Sequence, residues 1–530
     1  MGDKETLGER VETLLVNPDV IQRVELSADN GEVIHGFSNA RDTQKSLQIF
    51  AYITDNQSML TPEGAKNGLE IYGEELREDA RENPGKHANI DFLERVALQG
   101  VSLHSHIVTP YSAKPIPEHV RKAMPTIAEM FGTPMHIYDE DGIRATCRDF
   151  NSAFSWNRGF RNYDAVKAAP NPRLLEVERE EASGADCSSS PELTLSHAAG
   201  MRGEDIISTS NDTPDSEFQY ARRLGAIENL DDITFIAALE RATGGLPELI
   251  CFRYTGEVNN SIIVNAEERK YGLTKEQIFM AYEIVKDKGV KRFGLHTMMA
   301  SNERDVKKLL RQAEIMTGLG AELSERGIPL EFINLGGGVG TSYKPWDRDP
   351  SIKAYGEGVK ALVQRDLIPR GLNPRIFLEC GRAITGPHGW LLTRVRHVMK
   401  KLRDYVGVDA SMADLMRPGM YGAYHHLTVL GKEQAEHNRV YDVVGSLCEN
   451  NDKFAVQRFL PELVRGDLLA THNSGAHGRA MGFNYNGKLR SGEVLVRSNG
   501  DIELIRRAET EKDYFATFDF PGSKYAHLAR

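Results

Sequence analysis

Glu331-Phe332-Ile333-Asn334-Leu335-Gly336-Gly337-Gly338-Val339-Gly340 runs from an apolar strand straight into a glycine cluster. Glycines let successive backbone N–H groups turn toward one anion, as a phosphate cradle requires. A lone cluster of this kind is equally a tight turn, so its setting decides. Downstream lies another short apolar run, RIFLE (375–379). Upstream, from Met135, come MHIYD, NYDAVKA, GADC, IISTS, TFIAA, LICFRY and RFGLH, most of them separated by helical stretches such as KEQIFMAYEIVKDKG (275–289). That rhythm implies parallel strands with crossover helices. Eight or so such units, with glycine-rich loops after the late strands, predict an α/β fold of the (β/α)8 barrel type. An open doubly wound sheet is the alternative, because strand counting alone cannot close a barrel.

Beyond His388 the pattern changes. WLLTRVRHVMKK, YDVVGS, DLLATHN, GEVLVRSNG and IELIRR are strand-like with few long helices between them, which predicts a mainly β C-terminal domain over 388–530. Residues 1–110 are charged and mostly helical in pattern, an N-terminal extension to a barrel over 135–387. There Thr61-Pro62-Glu63 reads as an N-cap with proline at the first helical position, and Asn89 as the cap of a second helix. His104 and His106 alternate in VSLHSHI and would share one face of a strand. Without a third ligand they read as ordinary polar contacts, and no metal site is expected.

A net charge of -11 argues against a nucleic-acid partner, which normally requires a basic footprint. The five cysteines are scattered without a CxxC pair, as in a reduced cytoplasmic protein. The N-terminus shows no signal peptide, and no apolar run approaches the ~20 residues that span a bilayer. Gly2 and Thr6 match a myristoylation pattern, but the acidic Asp3 and Glu5 give it no basic support.

Several side chains have a chemical reading of their own. Lys167, at the end of an apolar strand before Pro170 and Pro172, is disfavoured by solvation unless modified or shifted in pKa, which is what a Schiff-base lysine needs. The plain alternative is a lysine snorkelling at a strand end. Glu379 and Arg382 in LECGRA lie at the mouth of the strand after the glycine cluster, or else form a surface ion pair. Cys448 in GSLCENND is either a buried hydrophobic thiol or, beside Glu449 and Asp452, a proton donor, since an unperturbed thiol stays mostly protonated near pH 7.

In this order, AVKA around Lys167, INLGGGVG, LECGRA, LMRPGMYGAYH and GSLCENND resemble the fold-type III, alanine-racemase-like pyridoxal phosphate (PLP) decarboxylases, and most closely diaminopimelate decarboxylase. The resemblance spans about Pro125 to Val496 and leaves the first hundred residues outside. It implies that 111–134 joins the β domain. It implies PLP as cofactor, held by Lys167, Ser301, Gly336, Gly337, Gly338, Glu379, Gly381, Arg382 and His477, with Glu379 on the pyridine nitrogen. It implies substrate contacts from Arg382, Arg417, Tyr421 and Glu449. It also implies a homodimer in which Cys448 acts across the interface as the acid that reprotonates the substrate Cα.

Two departures from the family bear most on the site. GLHTMMASNE puts Met298 where a histidine usually stacks on the cofactor ring, and GAHG puts His477 where a tyrosine usually meets phosphate. Cys380 replaces a usual proline. The expected activity is PLP-dependent decarboxylation of meso-2,6-diaminopimelate to L-lysine and CO2. The alternatives are a decarboxylase of another diamino or amino-dicarboxylic acid, or a non-catalytic PLP-binding homologue.

Overall fold

The computed structural model describes residues 6–28, 32–54, 59–109, 115–256 and 269–518. Gly2, with its myristoylation pattern, lies outside these residues.

Eight parallel strands close a barrel: Arg161–Ala165, Gly184–Cys187, Ile206–Ser208, Ile227–Leu230, Leu249–Tyr254, Arg292–Thr297, Leu330–Asn334 and Arg375–Leu378. The last strand pairs with the first, Phe377 beside Arg161 and Leu378 beside Asn162. Tyr163, Ile207, Ile227, Leu249, Cys251, Phe332 and Phe377 fill the interior as one apolar cluster. Gly294 makes room there, since a Cβ at this position would lie 2.0 Å from the Phe332 ring.

The strand list read from sequence needs two corrections. TFIAA is not a strand: it opens the helix Phe235–Thr243, which starts after Asp232 Oδ1 accepts from the Thr234 N–H at 2.9 Å. The strand in that unit is Ile227–Leu230, masked in the sequence because Glu228 and Asn229 are polar yet buried. MHIYD is a strand, Met135–Asp139, but it pairs with Gly389–Lys400 and Gly492–Val496 and so belongs to the β domain's sheet rather than to the barrel.

That sheet has nine strands, with the twelve-residue strand Gly389–Lys400 as its spine. The helix Glu118–Met130 packs Val120, Met124 and Ile127 against Ile137, Trp390 and Val494 on this sheet.

Five helices dominate the N-terminal region: Leu7–Glu12, Gln44–Ile53, Pro62–Tyr72, Glu74–Glu82 and Ala88–Gln99. Thr61 caps the third, accepting from the Gly64 N–H at 3.0 Å. Asn89 is not a cap: it lies inside the last helix, where its Oδ1 meets His35 Nε2 at 2.7 Å. Beneath the helices is a four-stranded antiparallel sheet of Arg23–Ser27, Val33–Ser38, Met59–Leu60 and Leu103–Val108, of which the sequence suggested only the last strand. The other three are short or half polar, which hid them. His104 and His106 do lie on one strand; His106 Nε2 meets Ser27 Oγ at 3.0 Å, and its ring packs edge-on against Phe459 of the β domain. No helix among the described residues is long and apolar enough to cross a membrane.

Candidate active site

A cavity of about 360 Å³ opens at the C-terminal ends of the barrel strands. Enzymes on this fold place their chemistry at this end, because the loops that follow the strands converge there. Lys167, Ser301, Gly338, Glu379, Gly381, Arg382 and His477 all line it.

Lys167 stands two residues beyond its strand, in a 3-10 turn over Val166–Ala168, and its side chain is exposed to the cavity. Glu379 is buried at the cavity floor. Asn334 Nδ2 donates to its Oε1 at 2.7 Å, and His296 Nε2 meets its Oε2 at 3.0 Å. The other nitrogen of His296 is 2.8 Å from Asn229 Nδ2. Burial alone would raise the carboxyl of Glu379, but the His296 ring, with Lys167 and Arg253, more than offsets this and holds it below the ordinary value. The site thus keeps one buried carboxylate ionised.

The glycine run serves the wall as much as the ligand. Gly336 and Gly338 have φ of +69° and +95°, in the region that favours glycine. A Cβ at Gly336 would lie 2.0 Å from the Thr297 carbonyl oxygen, and one at Gly337 2.6 Å from that of Glu379. Gly338 faces the cavity; Gly336 and Gly337 stand behind it and allow the loop to press against its neighbours. The family's proline is replaced without loss of order at Cys380. Its N–H donates to Asn162 Oδ1 at 2.8 Å, a bond that proline could not make.

Cations gather on one side of the cavity: Lys167 and Arg382 line it, and Arg417, which does not itself line it, is joined to Arg382 through Tyr343. The Tyr343 hydroxyl accepts from Arg382 Nη1 at 2.7 Å and from Arg417 Nη1 at 3.0 Å. Lys167, Arg382 and Arg417 have no carboxylate partner among the described residues. His477 sits in left-handed backbone (φ +54°), its N–H bonded to the Ala168 carbonyl at 2.8 Å. Burial, then the charges of Arg382, Arg417 and Lys167, push its pKa well below the usual histidine value, so it stays neutral near pH 7.

Other expected residues stand apart. Tyr421 is exposed on the short helix Arg417–Tyr421. Cys448 and Glu449 are also exposed, on a β-domain loop, and neither lines this chain's cavity. Asp452 fixes that loop, its carboxylate accepting from the Met412 N–H at 2.7 Å and the Leu447 N–H at 2.8 Å.

Asp186, Asn334 and Tyr343 were missed as site residues. Asp186 lines the cavity with Oδ1 unpartnered, its pKa pushed up to about 8 by burial and by Glu379. In the sequence it was only the polar member of GADC, and Asn334 only that of EFINL.

These features fit PLP. An exposed lysine amine can meet an aldehyde, a buried carboxylate can face a ring nitrogen, and unpaired cations beside a glycine loop can take a phosphate dianion.

Residues 140–386 match the family described as pyridoxal-dependent decarboxylase, pyridoxal binding domain. Residues 9–107 match a separate family described only as uncharacterized and conserved in bacteria. Protein TabA of Pseudomonas amygdali pv. tabaci is 43% identical over 74% of this chain and 94% of its own length. The diaminopimelate decarboxylase of Methanothermobacter thermautotrophicus is 34% identical over 73% and 92%. The crystal structure of diaminopimelate decarboxylase from M. jannaschii in complex with L-lysine superposes with a TM-score of 0.71 at 27% identity, covering 76% of this chain and 95% of that one. Carried by a barrel, a lysine and an ionised glutamate in the family's order, the chain belongs to the fold-type III pyridoxal-phosphate-dependent amino-acid decarboxylases, of the diaminopimelate decarboxylase type.

Proposed function

We propose that this decarboxylase acts on meso-2,6-diaminopimelate, releasing L-lysine and CO2. The observation that carries the reading is the Arg382–Tyr343–Arg417 group. Two guanidiniums, neither paired with a carboxylate among the described residues, offer anion sites beyond what one phosphate uses. The relatives named diaminopimelate decarboxylase, and their structures with L-lysine, support the same choice.

In this reading the Lys167 amine would hold the cofactor through its aldehyde. Glu379, held by Asn334 and His296, faces the ring nitrogen and keeps it protonated. Ser301, Gly338, Gly381, Arg382 and His477 surround the phosphate, with Gly336 and Gly337 shaping the loop. Bound PLP supplies an electron sink for the pair left at Cα when CO2 departs. Arg417 and Tyr421 hold the distal carboxylate. The chain acts as a head-to-tail homodimer in which the partner subunit's Cys448 gives its Sγ proton to Cα, solvent later restoring the thiol. The partner's Glu449 takes the distal ammonium. The exposure of Cys448 and Glu449, outside their own cavity, favours this arrangement.

Another diamino or amino-dicarboxylic acid is the second reading. It is favoured by Met298 on the cavity wall, in the place of a ring-stacking histidine, and by His477.

A panel of amino acids scored for CO2 release, with and without added PLP, tests the assignment. Diaminopimelate should lead. Arg417→Leu should lose roughly ten- to hundred-fold in kcat/KM on it, the worth of a charge-assisted bond, and less on lysine or ornithine. A preferred substrate without a distal carboxylate would reject it.

A further inference from the structure

We propose that the N-terminal domain governs substrate affinity through Tyr343, a positioning residue that sets Arg382 on the cavity wall and Arg417 beside it. This goes beyond the proposed function but rests on its assignment of Arg382 and Arg417 to anionic groups of the ligands.

Two like-charged guanidiniums do not stay together without a reason. Tyr343 supplies one: its single oxygen accepts from both, at 2.7 and 3.0 Å, and the Arg417 guanidinium lies 4.7 Å from its ring centroid. A carboxylate in that place would pin them equally well but would cancel the charge a ligand needs. A neutral phenol pins them and leaves the charge available.

Tyr343 is held partly within the decarboxylase, its ring edge-on to His425 at 5.1 Å and the preceding Ser342 carbonyl accepting from Asn473 Nδ2 at 2.7 Å, and partly from outside it. Past the glycine loop, residues 344–348 leave the barrel and run along residues 15–17. The Asn17 N–H donates to the Trp346 carbonyl at 2.7 Å, the Arg348 N–H donates to the Leu15 carbonyl at 2.9 Å, and Val16 and Asp347 form an antiparallel bridge. Lys344 Nζ donates to the Thr54 carbonyl at 3.0 Å. Trp346 is a member of the N-terminal hydrophobic core, together with Val11, Phe50 and Leu69.

Arg417 reaches the same core by another route. Tyr424, just beyond its short helix, is also a core member, and its ring centroid lies 5.7 Å from that of Trp346 in an edge-on contact. The elements carrying Tyr343 and Arg417 therefore share one abutment. That abutment lies in residues 9–107, which match a family separate from the pyridoxal-binding one. A shift of this domain moves the tyrosine and one arginine together, and so moves the geometry in which an anion is held.

The test uses full-length holoenzyme and whichever amino acid the panel ranks first. Tyr343→Phe removes only the hydroxyl; Trp346→Leu removes the ring anchoring the loop in the N-terminal core. Each should raise KM about three- to ten-fold while kcat stays within about two-fold, with the cofactor absorbance unchanged. The double variant should be no worse than the more damaging single one, because both act on one element. If Trp346→Leu fails to fold, Trp346→Phe should give a smaller KM rise in the same direction. An unchanged KM in a folded Trp346 variant, or losses that multiply in the double variant, would overturn the proposal. A panel led by an amino acid with no second carboxylate would reject the diaminopimelate reading alone, since the coupling is read on the preferred substrate whatever it is.

Discussion

Asn162 closes both backbone hydrogen bonds of Cys380: its Oδ1 accepts from the Cys380 N–H at 2.8 Å and its Nδ2 donates to the Cys380 carbonyl at 3.0 Å. This clamp joins the first barrel strand to the residue after Glu379. Asn162→Ala should orphan two buried backbone groups and cost about 2 kcal/mol or more, read as a lower urea midpoint. Cys380→Pro should also destabilise, although proline is the residue found in the family, because Asn162 Oδ1 then loses its donor. A Cys380→Pro protein as stable as the parent would refute the clamp.

Lys167 is exposed to the cavity and free of any carboxylate partner among the described residues, so few packing contacts depend on its ammonium. Purified protein should be yellow, and borohydride should fix PLP to the peptide containing Lys167. Lys167→Ala should abolish turnover with little change in Tm. Attachment at any other lysine defeats this assignment.

Lys167→Ala and Cys448→Ala should each be nearly inactive alone. Mixed under conditions of proven subunit exchange, they should recover activity up to about a quarter of the parent's on simple statistical grounds, because the heterodimer restores one intact site. No recovery would place Cys448 outside the partner's chemistry.

Asp164, on the strand that leads to Lys167, is buried against Glu178 of the helix Pro172–Glu180. Burial pushes Asp164 up to about 7, and burial with the facing Asp164 pushes Glu178 well above its ordinary value. In the unfolded chain both lose their protons near pH 4. Between about pH 4 and 7 the folded state therefore binds more protons, and stability falls as pH rises through that window. Glu178→Gln can donate to Asp164 without borrowing a proton. Its Tm should gain on the parent's between pH 5 and pH 8; an identical gap at both pH values would contradict the shared proton.

Contiguous motifs were legible in the sequence because the barrel delivers them in order: GGGVG, LECGRA and the AVKA lysine reach one cavity from successive strand ends. What escaped was polar matter inside apolar elements. Glu228 and Asn229 hid a strand, since buried polar residues break the apolar run that marks one. Asn334 sat within the very strand that opened the reading, yet its contact with Glu379 depends on two strands lying side by side. His296 stood in GLHTMMASNE with no role of its own, because its partner Glu379 is 83 residues away. Tyr343 belongs to no motif at all, and its role exists only once Arg382 and Arg417 are folded against it.

Trp346 and Tyr424 are only 5% and 6% exposed, and both are covered by the N-terminal core. Cutting away the first hundred residues would leave two large aromatic rings facing water, an adhesive patch on an otherwise acidic protein. Residues 9–107 are thus no detachable passenger. Once the barrel and the β domain had each put an aromatic into their neighbour's interior, loss of either half exposed the other to aggregation, and the two became an entrenched pair that inheritance can alter only together.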